Sequence, residues 1–68
     1  MENPYQAGDT VELLWEIVVE TAEGNVYTYP AGTRLIYVGD GALAGTADLE
    51  DGGGNAFAGV SKATFAKV

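Results

Sequence analysis

The chain has 68 residues, no Cys and no His, and ten acidic against three basic residues, for a formal net charge of −7. This excludes disulfides and the best zinc ligands, and it disfavours general electrostatic binding to nucleic-acid backbones or anionic membranes. The length allows one domain with a small core, a size at which stability is marginal and self-association a common support.

In chain order, residues 1–6 read as a polar surface segment from which Tyr5 alone is placed to dock, and residues 7–68 as a single domain. Met1-Glu2-Asn3-Pro4 has no basic region followed by an apolar run, and no apolar stretch approaches the roughly 18 residues of a membrane span. The expectation is a soluble cytoplasmic protein, complete from its initiating Met.

From Thr10 to Thr21, apolar Val11, Leu13, Trp15, Ile17 and Val19 alternate with a set that includes Glu12, Glu16 and Glu20. A period of two places the apolar side chains on one face of a long strand. Trp15 is therefore expected in the core. Leu14 and Val18 interrupt the acidic face, so it is only partly polar. A helix is the rival reading. Asp9 and Glu12 have capping-box spacing, Gly24 is placed as a C-terminal stop, and Val11, Leu14, Trp15 and Val18 fit a helical stripe. The β-branched content favours the strand. So do the three glutamates, which on a helix would stack at i,i+4 without a basic partner.

Glu23-Gly24-Asn25 is a turn, returning Val26–Tyr29 along the first strand, and Pro30-Ala31-Gly32 ends that hairpin. Leu35 and Tyr37 alternate with Arg34, Ile36 and Val38 in the next strand, Thr33–Val38. Asp40-Gly41 signals a tight hairpin into a weak partner strand, Ala42–Leu49. Asp51–Asn55 is a glycine-rich loop, and Ala56–Val60 a short strand. Ser61-Lys62-Ala63 is a tight turn or one helical turn, and Thr64–Val68 the last strand.

The motifs Ala7-Gly8-Asp9-Thr10-Val11-Glu12-Leu13, Pro30-Ala31-Gly32-Thr33, Leu35-Ile36-Tyr37-Val38, Asp40-Gly41 and the closing Phe65-Ala66-Lys67-Val68 occur in an order that resembles an SH3-like small β-barrel. The resemblance spans residues 7–68 and implies an all-β domain, a five-stranded barrel with a long N-terminal hairpin over residues 10–29. The Ala-Leu-Tyr-Asp-Tyr-like segment of signalling SH3 domains is absent, so the resemblance does not extend to their Pro-rich ligands. It is nearest to bacterial and phage accessory barrels that bind a partner protein.

Chemistry finds little support. Glu12, Glu16 and Glu20 lie about 13 Å apart along a strand at roughly 3.3 Å per residue, too far to work as an acid–base pair. They are also several times sparser than the charge of duplex DNA, about one per 1.7 Å, which they would have to mimic. Asp48-Leu49-Glu50-Asp51-Gly52 breaks the EF-hand spacing. Gly39-Asp40-Gly41 with Gly45 lacks the strand-to-helix setting of a nucleotide loop. Ser61, the one Ser, has Lys62 beside it but no His or Cys in the chain to make a triad. No enzymatic activity, metal or cofactor is expected. The candidate residues are those of an interface with a protein partner or a second copy: Leu14 and Val18 on the hairpin, and Tyr27, Tyr29 and Tyr37, which offer large area at low entropic cost. A second reading makes Glu12, Glu16 and Glu20 the acidic face of a phage or mobile-element inhibitor, directed at a basic nucleic-acid-binding site on a host protein. Direct binding to nucleic acid or membrane is expected in neither case.

Overall fold

A computed structural model describes residues 4–21 and 23–68. Among them are seven strands: β1 (Thr10–Leu13), β2 (Ile17–Glu20), β3 (Val26–Tyr29), β4 (Arg34–Asp40), β5 (Thr46–Glu50), β6 (Ala56–Ser61) and β7 (Phe65–Lys67). A 3₁₀ turn at Lys62–Thr64 precedes β7. Five strands form one antiparallel sheet in the order β6-β5-β4-β1-β7, and β2 and β3 form a separate hairpin sheet.

The expected long strand exists in two pieces. At Leu14-Trp15-Glu16 the chain leaves the five-stranded sheet, with the Leu14 N–H donating to the Thr64 carbonyl at 2.8 Å. Val11 and Leu13 are buried from the large sheet and Val19 from the hairpin. The alternation thus keeps its phase across the bend, but Trp15, at the corner, is 64% exposed. Its expected place in the core is corrected. The expected five-stranded barrel is corrected too. Seven strands stand among the described residues in place of five, and no ladder among them joins the two sheets, so the barrel is not closed.

The core lies between the sheets. Val11, Leu13, Leu35, Tyr37, Ala47, Leu49, Phe57, Val60 and Phe65 supply it from the large sheet, and Val19 from the hairpin, with Ile17, Tyr27 and Tyr29 packed against it. Tyr5 docks as expected, stacking on Tyr37 with ring centroids 5.0 Å apart and meeting Phe65 edge-on at 5.4 Å. Asp40-Gly41 does not make a two-residue turn: β5 starts only at Thr46.

Two irregularities curve the large sheet at one point. Tyr37 faces Leu49 but Gly39 faces Asp48, so Val38 is an extra residue in β4. On the other side Ala47 faces Val60 and Leu49 faces Phe57, so Ala58 and Gly59 together oppose Asp48. Gly59 makes this possible by adopting φ +75°. A bulge bends its strand and increases the local twist. Here two of them flank Asp48 on β5.

Candidate functional site

The predicted interface residues separate into two groups. Leu14 and Val18 are 48% and 65% exposed, on the corner and on the outer side of the hairpin. Register places Val18 opposite Thr28 and Glu20 opposite Val26 on that outer side, where Val26 is also well exposed. Together with Trp15, they give the bend and hairpin an uncovered apolar surface. Sequence reasoning missed Trp15. The alternation held no signal for it, since Leu14 facing outward already accounts for the Leu14-Trp15 doublet.

The tyrosines belong to the other group. Tyr37 is only 2% exposed, and its hydroxyl donates to the Asp40 carboxylate. It is a core residue, which corrects the expectation of a surface tyrosine facing Tyr27 and Tyr29. Those two occupy the inner side of the hairpin, their ring centroids 6.4 Å apart, and are only partly exposed. Tyr29 lies 5.4 Å from the Phe57 ring, and its hydroxyl donates to Asp51 Oδ2 at 3.3 Å. Burial and the neighbouring Asp51 charge raise the Tyr29 pKa above its usual value. These rings join the two sheets.

Nor do the three glutamates form one stripe. Glu12 remains on the large sheet opposite Arg34, with Oε1 3.5 Å from the guanidinium Nε. Glu16 sits in the bend, and Glu20 ends β2. The other two basic residues are also occupied: Lys62 with Asp40 at 2.9 Å and Lys67 with Asp9 at 3.3 Å. The bond to Asp40 raises the Lys62 pKa, while the Gln6 N–H, with help from Lys67, lowers that of Asp9. Glu16, Glu20, Glu23, Asp48, Glu50 and Asp51 have no Lys or Arg partner among the described residues. Asp51 is held otherwise. It accepts from Asn55 Nδ2 at 2.9 Å and from the Gly53 and Asn55 amides, and these bonds depress its pKa and organise the 51–55 loop.

Between the hairpin and β5–β6 runs a groove. Its larger section, about 470 Å³, has Val38, Leu49, Phe57 and Ala58 in its walls together with Glu20 and Asp48. A second section of about 380 Å³ shares Glu20 and Ala58 and continues past Val18 and Ser61 to Thr64. Asp48 Oδ1 is shut off from solvent and has no hydrogen-bond partner among the described residues. The Thr21 amide donates to the Asn25 carbonyl at 2.8 Å, so Val19 and Ile17 continue that hydrogen-bonded phase towards β3. Val18 and Glu20 therefore direct their backbone groups to the opposite edge of β2, the strand of the hairpin that approaches β6.

Other chemical arrangements are sparse. Ser61 Oγ accepts from the Ala63 amide and caps the 3₁₀ turn. No group of three or more His, Cys, Asp or Glu is placed to hold a metal among the described residues. No helix among them is long and apolar enough to cross a membrane.

The fold thus defines a small all-β protein of two sheets with an acidic, partly apolar groove between them. No protein-family model, no curated protein and no solved structure matches this chain.

Proposed function

We propose that the protein is a non-catalytic accessory module of SH3-like architecture that binds another protein or itself. The observation that carries this reading is the uncovered apolar surface of Leu14, Trp15, Val18 and Val26, each between 48% and 65% exposed. A small domain gains little by leaving its one Trp in water, whereas Trp is enriched where two proteins meet. The SH3-like part draws support from topology. A hairpin interrupts the path from β1 to β4, a meander follows, and a 3₁₀ turn leads into a last strand that pairs with β1. A cytoplasmic location belongs to this reading, in keeping with a chain without Cys.

Light scattering on the full chain from micromolar to near-millimolar concentration tests self-association. Under this reading the apparent mass rises with concentration, and Trp15→Ser with Val18→Ser abolishes the rise. A strict monomer throughout removes the self-associating form. Partner binding that is indifferent to Trp15→Ser removes this surface altogether.

A second reading, an inhibitor from a phage or mobile element directed at a basic host protein, draws on the carboxylates that lack a basic partner. Because Arg34 occupies Glu12, its acidic face reduces to Glu16 and Glu20. It requires capture of the basic partner to weaken with added salt and to fail for the Glu16→Gln, Glu20→Gln double variant. Capture that survives both rejects it.

A further inference from the structure

We propose that the outer edge of β3 pairs antiparallel with β3 of a second copy, about a two-fold axis at Tyr27. The inference rests on the self-binding half of the reading above, but the contact is a backbone edge rather than the apolar side chains around Trp15.

The two sheets have four edge strands, and three of them are blunted. β6 carries the bulge at Ala58 and Gly59, β7 is three residues long with Lys67 in it, and β2 ends in Glu20 and turns its outer edge towards β6. β3 has none of these features. It pairs with β2 in unbroken register, and no strand lies on its other side among the described residues. From Asn25 to Thr33 there is no charge, in a chain with ten acids. A regular, uncharged edge of this kind is a template for pairing with another chain.

The phase of the hairpin decides which groups that edge offers. The Thr21 amide donates to the Asn25 carbonyl, so Val19 with Tyr27 and Ile17 with Tyr29 are the hydrogen-bonded pairs. The N–H and C=O groups of Val26 and Thr28 therefore point away from β2. A two-fold axis at Tyr27 sets Val26 against Thr28 of the second copy and Thr28 against its Val26. Four hydrogen bonds result, and none of these groups is left over. Pro30, which has no N–H, ends the pairing.

The side chains suit a second copy. Val26 and Thr28, both exposed and β-branched, become cross-strand neighbours, and Tyr27 lies beside its own counterpart at the closer, non-hydrogen-bonded spacing. Charge does not oppose the contact. Glu20 and its counterpart stand at least three strand spacings apart, about 14 Å, which exceeds the screening length of roughly 8–10 Å at ordinary ionic strength. A contact between identical edges about a two-fold axis is closed at two copies. Four residues of edge fall far short of the about 20–30 residues a side of a standard interface, so the dimer is weak.

The test combines light scattering with NMR amide exchange on the full chain, from micromolar to near-millimolar concentration. The apparent mass is expected to climb towards twice that of the chain and to level there. Where half of the chain is paired, exchange at Val26 and Thr28 is slowed twofold, while Tyr27 and Tyr29, already bonded to β2, keep their rates. Thr28→Pro removes a donor that β2 does not use, and Thr28→Lys brings like charges together across the axis. Each should raise the dissociation constant at least tenfold with a dispersed, folded spectrum. If Thr28→Pro unfolds, Thr28→Lys and the exchange pattern decide. Association unchanged in the folded variants overturns the proposal. So does unslowed exchange at Val26 and Thr28 in the associated chain, or a mass that climbs past two copies. A strict monomer overturns it together with self-association and leaves the edge to a partner's strand. Trp15→Ser with Val18→Ser keeps the two readings apart. Association lost there but kept in the Thr28 variants rejects the edge and retains the apolar surface. The reverse pattern retains the edge and rejects the apolar surface as the self-binding site.

Discussion

Replacing Trp15 and Leu49 separately by Ala measures how the core is distributed. Trp15 is the bulkiest side chain in the protein and Leu49 is of ordinary size, yet the larger loss is expected from Leu49. A buried Trp removes up to about 150–250 Å² from water. At 64% exposure only about a third of that is gained on folding, which at roughly 25 cal/mol per Å² amounts to about 1–2 kcal/mol. The extended-chain reference makes this an upper bound. Leu49 is 0% exposed and sits opposite both Tyr37 and Phe57. Removing it leaves a cavity that rigid strands on either side cannot close, at a cost of about 2–5 kcal/mol. Against a total stability of about 3–10 kcal/mol for a chain of this length, Leu49→Ala brings the protein close to unfolding and Trp15→Ala does not. Urea denaturation followed by far-ultraviolet circular dichroism reads both without depending on Trp fluorescence. A loss of more than about 3 kcal/mol for Trp15→Ala, on the scale of a truncated core Trp, would refute the corner geometry and return Trp15 to the core.

Tyr29→Phe removes the hydroxyl bond to Asp51 and keeps the packing on Phe57; the expected loss is about 0.5–1.5 kcal/mol, with faster proteolytic cleavage in the hairpin than in the large sheet. Gly41→Ala places a Cβ against the side chain and backbone of Thr46. Overpacking of this kind costs about 1–3 kcal/mol, to be seen as a lower urea midpoint. Asp9 and Asp51 both titrate below the ordinary 3.8 in the folded protein. Their contribution is therefore present above 3.8 and is lost as pH falls through that value to their depressed ones. Lys62, raised above 10.5, contributes in full below that pH and ceases to as the pH rises through its elevated value. Urea midpoints across pH should fall at both extremes, and Asp51→Asn should flatten the acid limb.

The β character, the hairpin turn at Glu23-Gly24-Asn25, the alternation of β4 and the turn at Ser61-Lys62-Ala63 could all be read from residues, because each depends on local chemistry. The bend at Leu14-Trp15-Glu16 could not. Period-two alternation is identical for one long strand and for two shorter strands that keep phase through a corner, and only the tertiary bond from Leu14 to Thr64 distinguishes them. The same ambiguity put Trp15 inside and drew Glu12, Glu16 and Glu20 as one stripe. Tyr37 failed for another reason. Tyrosine serves core and interface alike, and its burial here depends on Tyr5, thirty-two residues earlier, stacking over it. The groove was invisible because Glu20 and Asp48 come from different sheets, and no spacing along the chain relates them.

The bulge at Ala58 and Gly59 lies in β6, an outer strand of the large sheet, and β7, at the other margin, is only three residues long and carries Lys67. A fibril grows when each copy offers two flat margins that match those of its neighbours. In this molecule one margin is kinked, and the other is too short and too charged to extend. Both margins of the large sheet are thereby guarded against open-ended strand pairing with further chains.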